Sequence, residues 1–313
     1  MLNKIASILT RDYNISDGPL ALKGFYSNHL FFAGNYFVKM TPGDIPASLY
    51  AARLNIVAKL HQQGFPVPQI IPTKNGALYT ECDKAYVEVH ARLADTHSTY
   101  SSALSLSQIA KIAHTIGQIH TAFDQMQSSS AALINSTSGK YLEKALDPRF
   151  ADKLLEYQRV VDHIPYSPLR DYLEIELPSL RESISSLKPD STPRGIVHGD
   201  LHDLQLLFDA TGNLASLVDW ENMHGRSRAF EIGFMLDRLS TDTKQLYHDT
   251  EVNMVHFHHN RAKVSTFLNS YSSQRALPAV NAIMGETLLE AVGRAAGFLE
   301  RVFQKDVNYP LLY

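Results

Sequence analysis

The apolar positions change period part-way along the chain. In His29–Met40, "HLFFAGNYFVKM", two apolar runs flank Gly34-Asn35, a pair suited to a tight turn with positive φ, so the segment reads as a β-hairpin. Ser48–Gly64 then carries Leu49, Ala52, Leu54, Ile56, Val57 and Leu60 at helical spacing, with Gly64 placed to cap the helix. Pro66 and Pro68 in "FPVPQII" disfavour helix at the residues before them and begin an extended stretch. Asn75-Gly76 marks a further turn, and "KAYVEVHARL" (Lys84–Leu93) alternates like a strand. Residues 1–92 thus predict a small antiparallel sheet with one helix inserted.

From about residue 105 the pattern turns helical. Ile109, Ile112, Ile116, Ile119, Phe123 and Met126 recur at steps of three and four, with Ser107 as the expected N-cap. Ser128–Lys140, "SSSAALINSTSGK", reads as a polar loop, and helices are expected near 151–163 and 168–187. A hairpin turning at "DATGNL" (Asp209–Leu214) interrupts this run. Two long helices, roughly 243–269 and 278–304, close the chain. The last is striped by Val280, Ile283, Met284, Leu288, Val292, Ala295, Ala296, Leu299 and Val302. The division predicted is a strand-rich lobe over 1–92 and a helical lobe over 93–313, with no internal repeat.

Composition narrows the function. A chain of 313 residues is about two domains' worth at roughly 150 residues each. With 44% hydrophobic and 19% charged residues it reads as an ordinary folded protein. A net charge of −3 lacks the basic bias of a general nucleic-acid binder. No apolar run approaches the roughly 18 residues that span a bilayer, so no membrane is expected as partner. The N-terminal "MLNKIASILTRDYN" shows no secretory cleavage pattern, and Cys82, the single cysteine, permits no internal disulfide. A soluble, cytoplasmic protein is the expectation.

The stretch "VHGDLHDLQLLFDATGNLASLVDWE" (Val197–Glu221) carries the chemistry. An antiparallel hairpin brings its ends together. Gln205, at the start of one strand, and Asp219, at the end of the other, should therefore meet, with Asp200 on the loop that enters the hairpin. Acid and amide oxygens are the hard ligands that Mg²⁺ prefers, and Mg²⁺ in turn carries phosphates. An aspartate outside the metal can orient a hydroxyl and accept its proton. The arrangement suits phosphoryl transfer.

At these residues the sequence resembles the aminoglycoside phosphotransferase and choline kinase family, small-molecule kinases that share the protein-kinase fold. The family's catalytic loop runs His-Gly-Asp-(any)-His with an Asn five residues after the Asp, and a metal-binding acid lies on the next strand; "HGDLHDLQLLF" and "VDWE" match in order and spacing. The resemblance implies an α+β, two-lobed protein-kinase-like fold with ATP and Mg²⁺ as cofactors and a small-molecule hydroxyl as acceptor. It implies Asp200 as the catalytic aspartate, His198 as a brace of its loop, Asp219 as metal ligand and Glu221 behind it. "TIGQIH", ending at His120, resembles the helix that precedes the family's catalytic loop. Lys39 of "YFVKM" looks like the lysine holding the α- and β-phosphates. "KGFYSNHLFF" would be the phosphate-covering hairpin, with Gly24 and Asn28 nearest the nucleotide, and the backbone near Val89–Ala91 would bind adenine.

Two departures qualify the match. The family's Asn is Gln205 here, a second metal ligand with one extra methylene. No glutamate occurs between residues 43 and 80 to pair with Lys39; by helical phase Arg53 takes that place and would repel it, while Glu81 or Glu88 could substitute. These departures motivate an alternative, a nucleotide-binding homologue that has lost turnover and acts as a regulatory or binding protein. A third reading takes His198, Asp200, His202 and Asp203 as ligands of a hydrolytic transition metal. Glu231 is a candidate anchor of the catalytic loop, and the histidines His256, His258 and His259 include an i, i+3 pair that could bind metal. Trp220 and several tyrosines are available for an aromatic cage of the kind that holds quaternary ammonium. The balance of acids and bases favours a neutral or zwitterionic acceptor, such as homoserine or a sugar, over a polycation.

Overall fold

In the computed structural model the described residues are 1–22, 29–137, 194–240 and 259–287, with single positions at 155, 158, 159, 162, 174 and 290. The N-terminal part is an antiparallel sheet in the order β1-β2-β3-β5-β4: Leu20–Leu22, His29–Ala33, Tyr36–Pro42, Ala85–Ala91 and, for β4, Thr80–Cys82. β2 and β3 form the expected hairpin, Ala33 opposite Tyr36, with Gly34 at φ +56° in the first central position, where this kind of turn wants glycine. The sheet is buried on both faces. Val38, Val87, Val89 and Phe31 pack under α1 (Leu2–Ile8) and the π turn Leu9–Tyr13 that continues it. On the opposite face, Tyr86 packs against Tyr50 of α2 (Ala47–Gln62). α2 ends as its sequence dictates. Gly64, at φ +83°, donates to His61 O and Phe65 donates to Leu60 O, the paired bonds of a Schellman cap.

β6 (His97–Ser98) leads to α3 (Leu106–Gln125), whose cap is Ser105 and not Ser107. Ser105 and Gln108 form a reciprocal capping box, a Ser-x-x-Gln signature starting two residues earlier than expected. Ile109, Ile112, Ile116, Ile119, Phe123 and Met126 are buried as their spacing requires. The stretch taken as a polar loop contains a short helix, α4 (Ser129–Asn135). Ser128 caps it by accepting from Ala131 N, and Ala131 and Ile134, three apart, give it a buried face that the serines obscured.

β7 (Arg194–Val197) pairs with β10 (His224–Ser227), while β6, β8 (Leu206–Phe208) and β9 (Leu214–Leu217) form a three-stranded sheet. The β8–β9 hairpin turns where expected: Asp209 accepts from the N–H groups of Thr211 and Asn213, and Gly212 has φ +79°. α5 (Arg228–Ser240) is almost wholly buried, and α6 (Arg261–Ser272) lies along α3, capped by Asn260. Residues 280–287 are helical, but their buried face is Ala282, Ile283, Glu286 and Thr287; Val280 and Met284, assigned to the stripe, are exposed. The helices expected over 151–163 and 168–187 fall outside the described residues except at isolated positions, as do residues 243–258 and most of 288–304.

Candidate active site

β7 ends in the loop His198-Gly199-Asp200, and its course depends on Gly199. That residue has φ +90°, and a Cβ there would run into Asn222 O and lie 2.7 Å from His224 Nδ1. No L side chain fits both demands. The turn brings Asp200 and Asp219 to one amide: Gln205 Nε2 lies 3.4 Å from Asp200 Oδ2 and 3.5 Å from Asp219 Oδ2. Gln205 Oε1 meanwhile accepts from His202 N at 3.3 Å. The amide thus offers a donor to both acids and separates two negative charges that would otherwise face each other. Asn222 Nδ2 also lies 3.4 Å from Asp200 Oδ2, so both amides address that oxygen.

Asp219 sits in the left-handed region, φ +70° and ψ +51°, which aspartate enters more readily than most residues. Its carboxylate meets Lys39, whose Nζ is 2.5 Å from Asp219 Oδ1 and 2.7 Å from Glu221 Oε2. Burial opposes charge on Lys39, but Asp219, Glu221 and Glu88 outweigh it and raise the ammonium pKa. Asp219 shows the mirror effect: burial works against ionisation, and Lys39 draws its carboxyl below the usual range. Arg53 does not repel Lys39. Its Nε donates to Met223 O at 3.0 Å, tying α2 to the segment that follows Asp219.

Behind the loop lies a buried brace. Glu231 Oε1 accepts from Gly199 N at 3.0 Å, and its Oε2 accepts from His120 Nε2 at 2.5 Å; Tyr271 donates to His120 Nδ1 at 2.8 Å. Glu231 therefore anchors the His198–Asp200 loop. Burial pushes His120 down to about 4, keeping it neutral, and its donated hydrogen bond helps bring Glu231 to about 2 against the cost of burial. His198 donates through Nε2 to Val218 O at 2.9 Å, next to Asp219, and is kept neutral by burial. It joins the loop to the segment that ends in Asp219 and hydrogen-bonds neither acid. Asp203 accepts from Ser101 N at 2.8 Å, fastening the loop to the short turn between β6 and α3.

Several expectations change. His198, Asp200, His202 and Asp203 do not converge as a metal set: His198 faces Val218 O, and Asp203 faces Ser101. His259 lies 3.3 Å from Asp237, and His256 and His258 are outside the described residues. Trp220 is core, with Nε1 donating to Leu217 O and its ring packed on His198 at 4.5 Å, and cannot serve a cage. At the connector, Val89 O accepts from Ile71 N and Ala91 N donates to Gln69 O, so these backbone groups are engaged within the lobe. Gly24 and Asn28 are outside the described residues. Asn222, missed in the sequence, carried one signal, its place one helical turn after Asp219.

A profile described as the phosphotransferase enzyme family matches residues 21–263, most of the chain. The chain belongs to the phosphotransferase enzyme family. It is accordingly a small-molecule kinase, a phosphotransferase with an alcohol group as acceptor. Similar curated relatives include homoserine kinases of Pseudomonas aeruginosa, 22% identical over 79% of this chain and 71% of theirs, and of Afipia carboxidovorans, 24% identical over 78% and 68%. Among solved structures, a spectinomycin phosphotransferase in complex with ADP and spectinomycin superposes with a TM-score of 0.63 at 11% identity, covering 98% of this chain and 92% of that one. A microcompartment-associated aminopropanol kinase gives 0.60 at 16% identity, covering 98% of both chains. The family member thus has the two-lobed, α+β kinase-like fold.

Proposed function

We propose that this member of the family transfers the terminal phosphoryl group of Mg·ATP to a hydroxyl of a small amino alcohol or hydroxy amino acid. The observation that carries the reading is the meeting of Asp200 and Asp219 at the Gln205 amide, with Lys39 closing on Asp219. The carboxylate oxygens of Asp219 and Glu221 form a hard donor set facing a buried cation, and they fit Mg²⁺. Asp219 would hold the ion, with Gln205 beside it, and the ion would neutralise charge on the phosphates. Lys39 would exchange its carboxylates for the α- and β-phosphates.

Asp200 works on the acceptor. Gln205 and Asn222 both approach its Oδ2 and fix the carboxylate plane, so Oδ1 takes the hydroxyl proton. The hydroxyl oxygen forms its bond to the γ-phosphorus as the bond to the β–γ bridging oxygen breaks, and ADP leaves with that electron pair. The acceptor class rests on two supports: the modest net charge, unlike an acidic receptor for polycations, and the similarity to homoserine kinases. Incubation with Mg·ATP and a panel of homoserine, amino alcohols, sugars and aminoglycosides, read by ³¹P NMR, tests it. A new phosphomonoester on an amino acid or amino alcohol is expected; ATP binding with no transfer to any member would favour the regulatory alternative.

A further inference from the structure

α2 reaches the nucleotide lysine without a carboxylate of its own, and the route it takes instead is Tyr50. In the β3–β5 pairing Lys39 lies directly opposite Glu88, so the two side chains leave the same face of the sheet, with Cβ atoms about 5 Å apart. Both are buried, Lys39 at 7% and Glu88 at 6% exposure. A buried carboxylate persists only where its oxygens are bonded. Each oxygen of Glu88 has a partner: Tyr50 Oη donates to Oε2 at 2.8 Å, and His90 Nε2 lies 3.1 Å from Oε1. Tyr50 is itself held, stacked on Tyr86 at 4.4 Å and edge-on to Tyr79 at 5.3 Å.

The three carboxylates around Lys39 differ in kind. Asp219 and Glu221 are roughly a third exposed and stand on the segment assigned above to the metal. Glu88 is sealed beneath the lysine on a rigid strand. When nucleotide draws the first two away, Glu88 is the anion that stays.

We propose that Glu88 is the positioning residue of Lys39 for nucleotide binding, and that Tyr50 couples its orientation to α2. This rests on the proposed Mg·ATP chemistry and adds to it where the lysine's standing counter-ion lies. Glu81, the acid on the neighbouring strand, is exposed on β4 opposite Tyr86 and plays no part.

The test is a double-mutant cycle on nucleotide affinity, by titration of Mg·ATP into wild type, Glu88→Gln, Lys39→Met and the double variant, with acceptor KM measured alongside. Glu88→Gln keeps an acceptor for Tyr50, removes the charge and turns an amide NH2 toward His90 Nε2. Expected is about tenfold weaker Mg·ATP binding, no further loss in the Lys39→Met background, and an unchanged acceptor KM. Tyr50→Phe should give a smaller loss in the same direction, and it carries the same cycle if Glu88→Gln fails to fold. Wild-type affinity in Glu88→Gln, or losses that add in the double variant, would overturn the role of Glu88 while leaving the kinase reading intact. Failure of the wild type to bind Mg·ATP would overturn both.

Discussion

Lys39 Nζ lies 2.5 Å from Asp219 Oδ1, a contact across 180 residues of sequence that joins the third strand of the first sheet to the far end of the catalytic hairpin. The pairing keeps the buried lysine charged. Both residues are expected to change partners on nucleotide binding.

Lys39→Met removes the cation from both states. A charged hydrogen bond to phosphate contributes about 1.5–3 kcal/mol, so Mg·ATP affinity should fall about 10- to 100-fold by calorimetric titration. In the nucleotide-free protein, Asp219 and Glu221 would lose the cation they share, and Glu88 would keep only Tyr50 and His90. Stability should drop by about 2 kcal/mol in urea unfolding, less than for a fully buried pair because Asp219 and Glu221 remain partly hydrated.

Asn222→Ala should separate binding from turnover. Its side chain hydrogen-bonds Asp200 and, among the described residues, none in the first lobe. Steady-state kinetics should show kcat reduced by about tenfold with KM for ATP unchanged, the signature of a lost positioning contact.

The buried brace makes the protein acid-labile. His120 binds its proton only near pH 4 when folded and near pH 6.5 when unfolded, so the unfolded state takes up more protons in between and stability falls as pH drops through that window. The slope is at most about 1.4 kcal/mol per pH unit for this group. Burial lowers His198 and His224 in the same direction. Glu231, at about 2 when folded, contributes stability that is present above its ordinary value of 4.5 and lost as pH falls toward 2. Melting temperatures from pH 7 to pH 4 should decline, and His120→Gln should flatten the decline.

The candidate site was legible in the sequence because it is local: Gln205 and Asp219 sit at the two ends of one hairpin, and Asp200 lies on the loop that enters it. The sheet was legible from its alternation and from Gly34-Asn35. What lay hidden was non-local. Nothing in the spacing of α2 says that Arg53 reaches Met223 O, nor that Tyr50 reaches Glu88 on β5; those contacts depend on how the helix crosses the sheet. α4 was concealed because serine-rich segments read as loop until Ser128 is recognised as a cap. Trp220 resembled a ligand-facing aromatic only because burial cannot be read from a single residue.

The central claim is that Asp200 takes the acceptor's proton while Lys39 and Asp219 hold the nucleotide. Asp200→Asn, assayed for phosphoryl transfer and for Mg·ATP binding on the same preparation, tests it most directly. The expected result is transfer reduced by about 10²- to 10⁴-fold with nucleotide affinity close to wild type. Transfer within a few-fold of wild type would contradict the account.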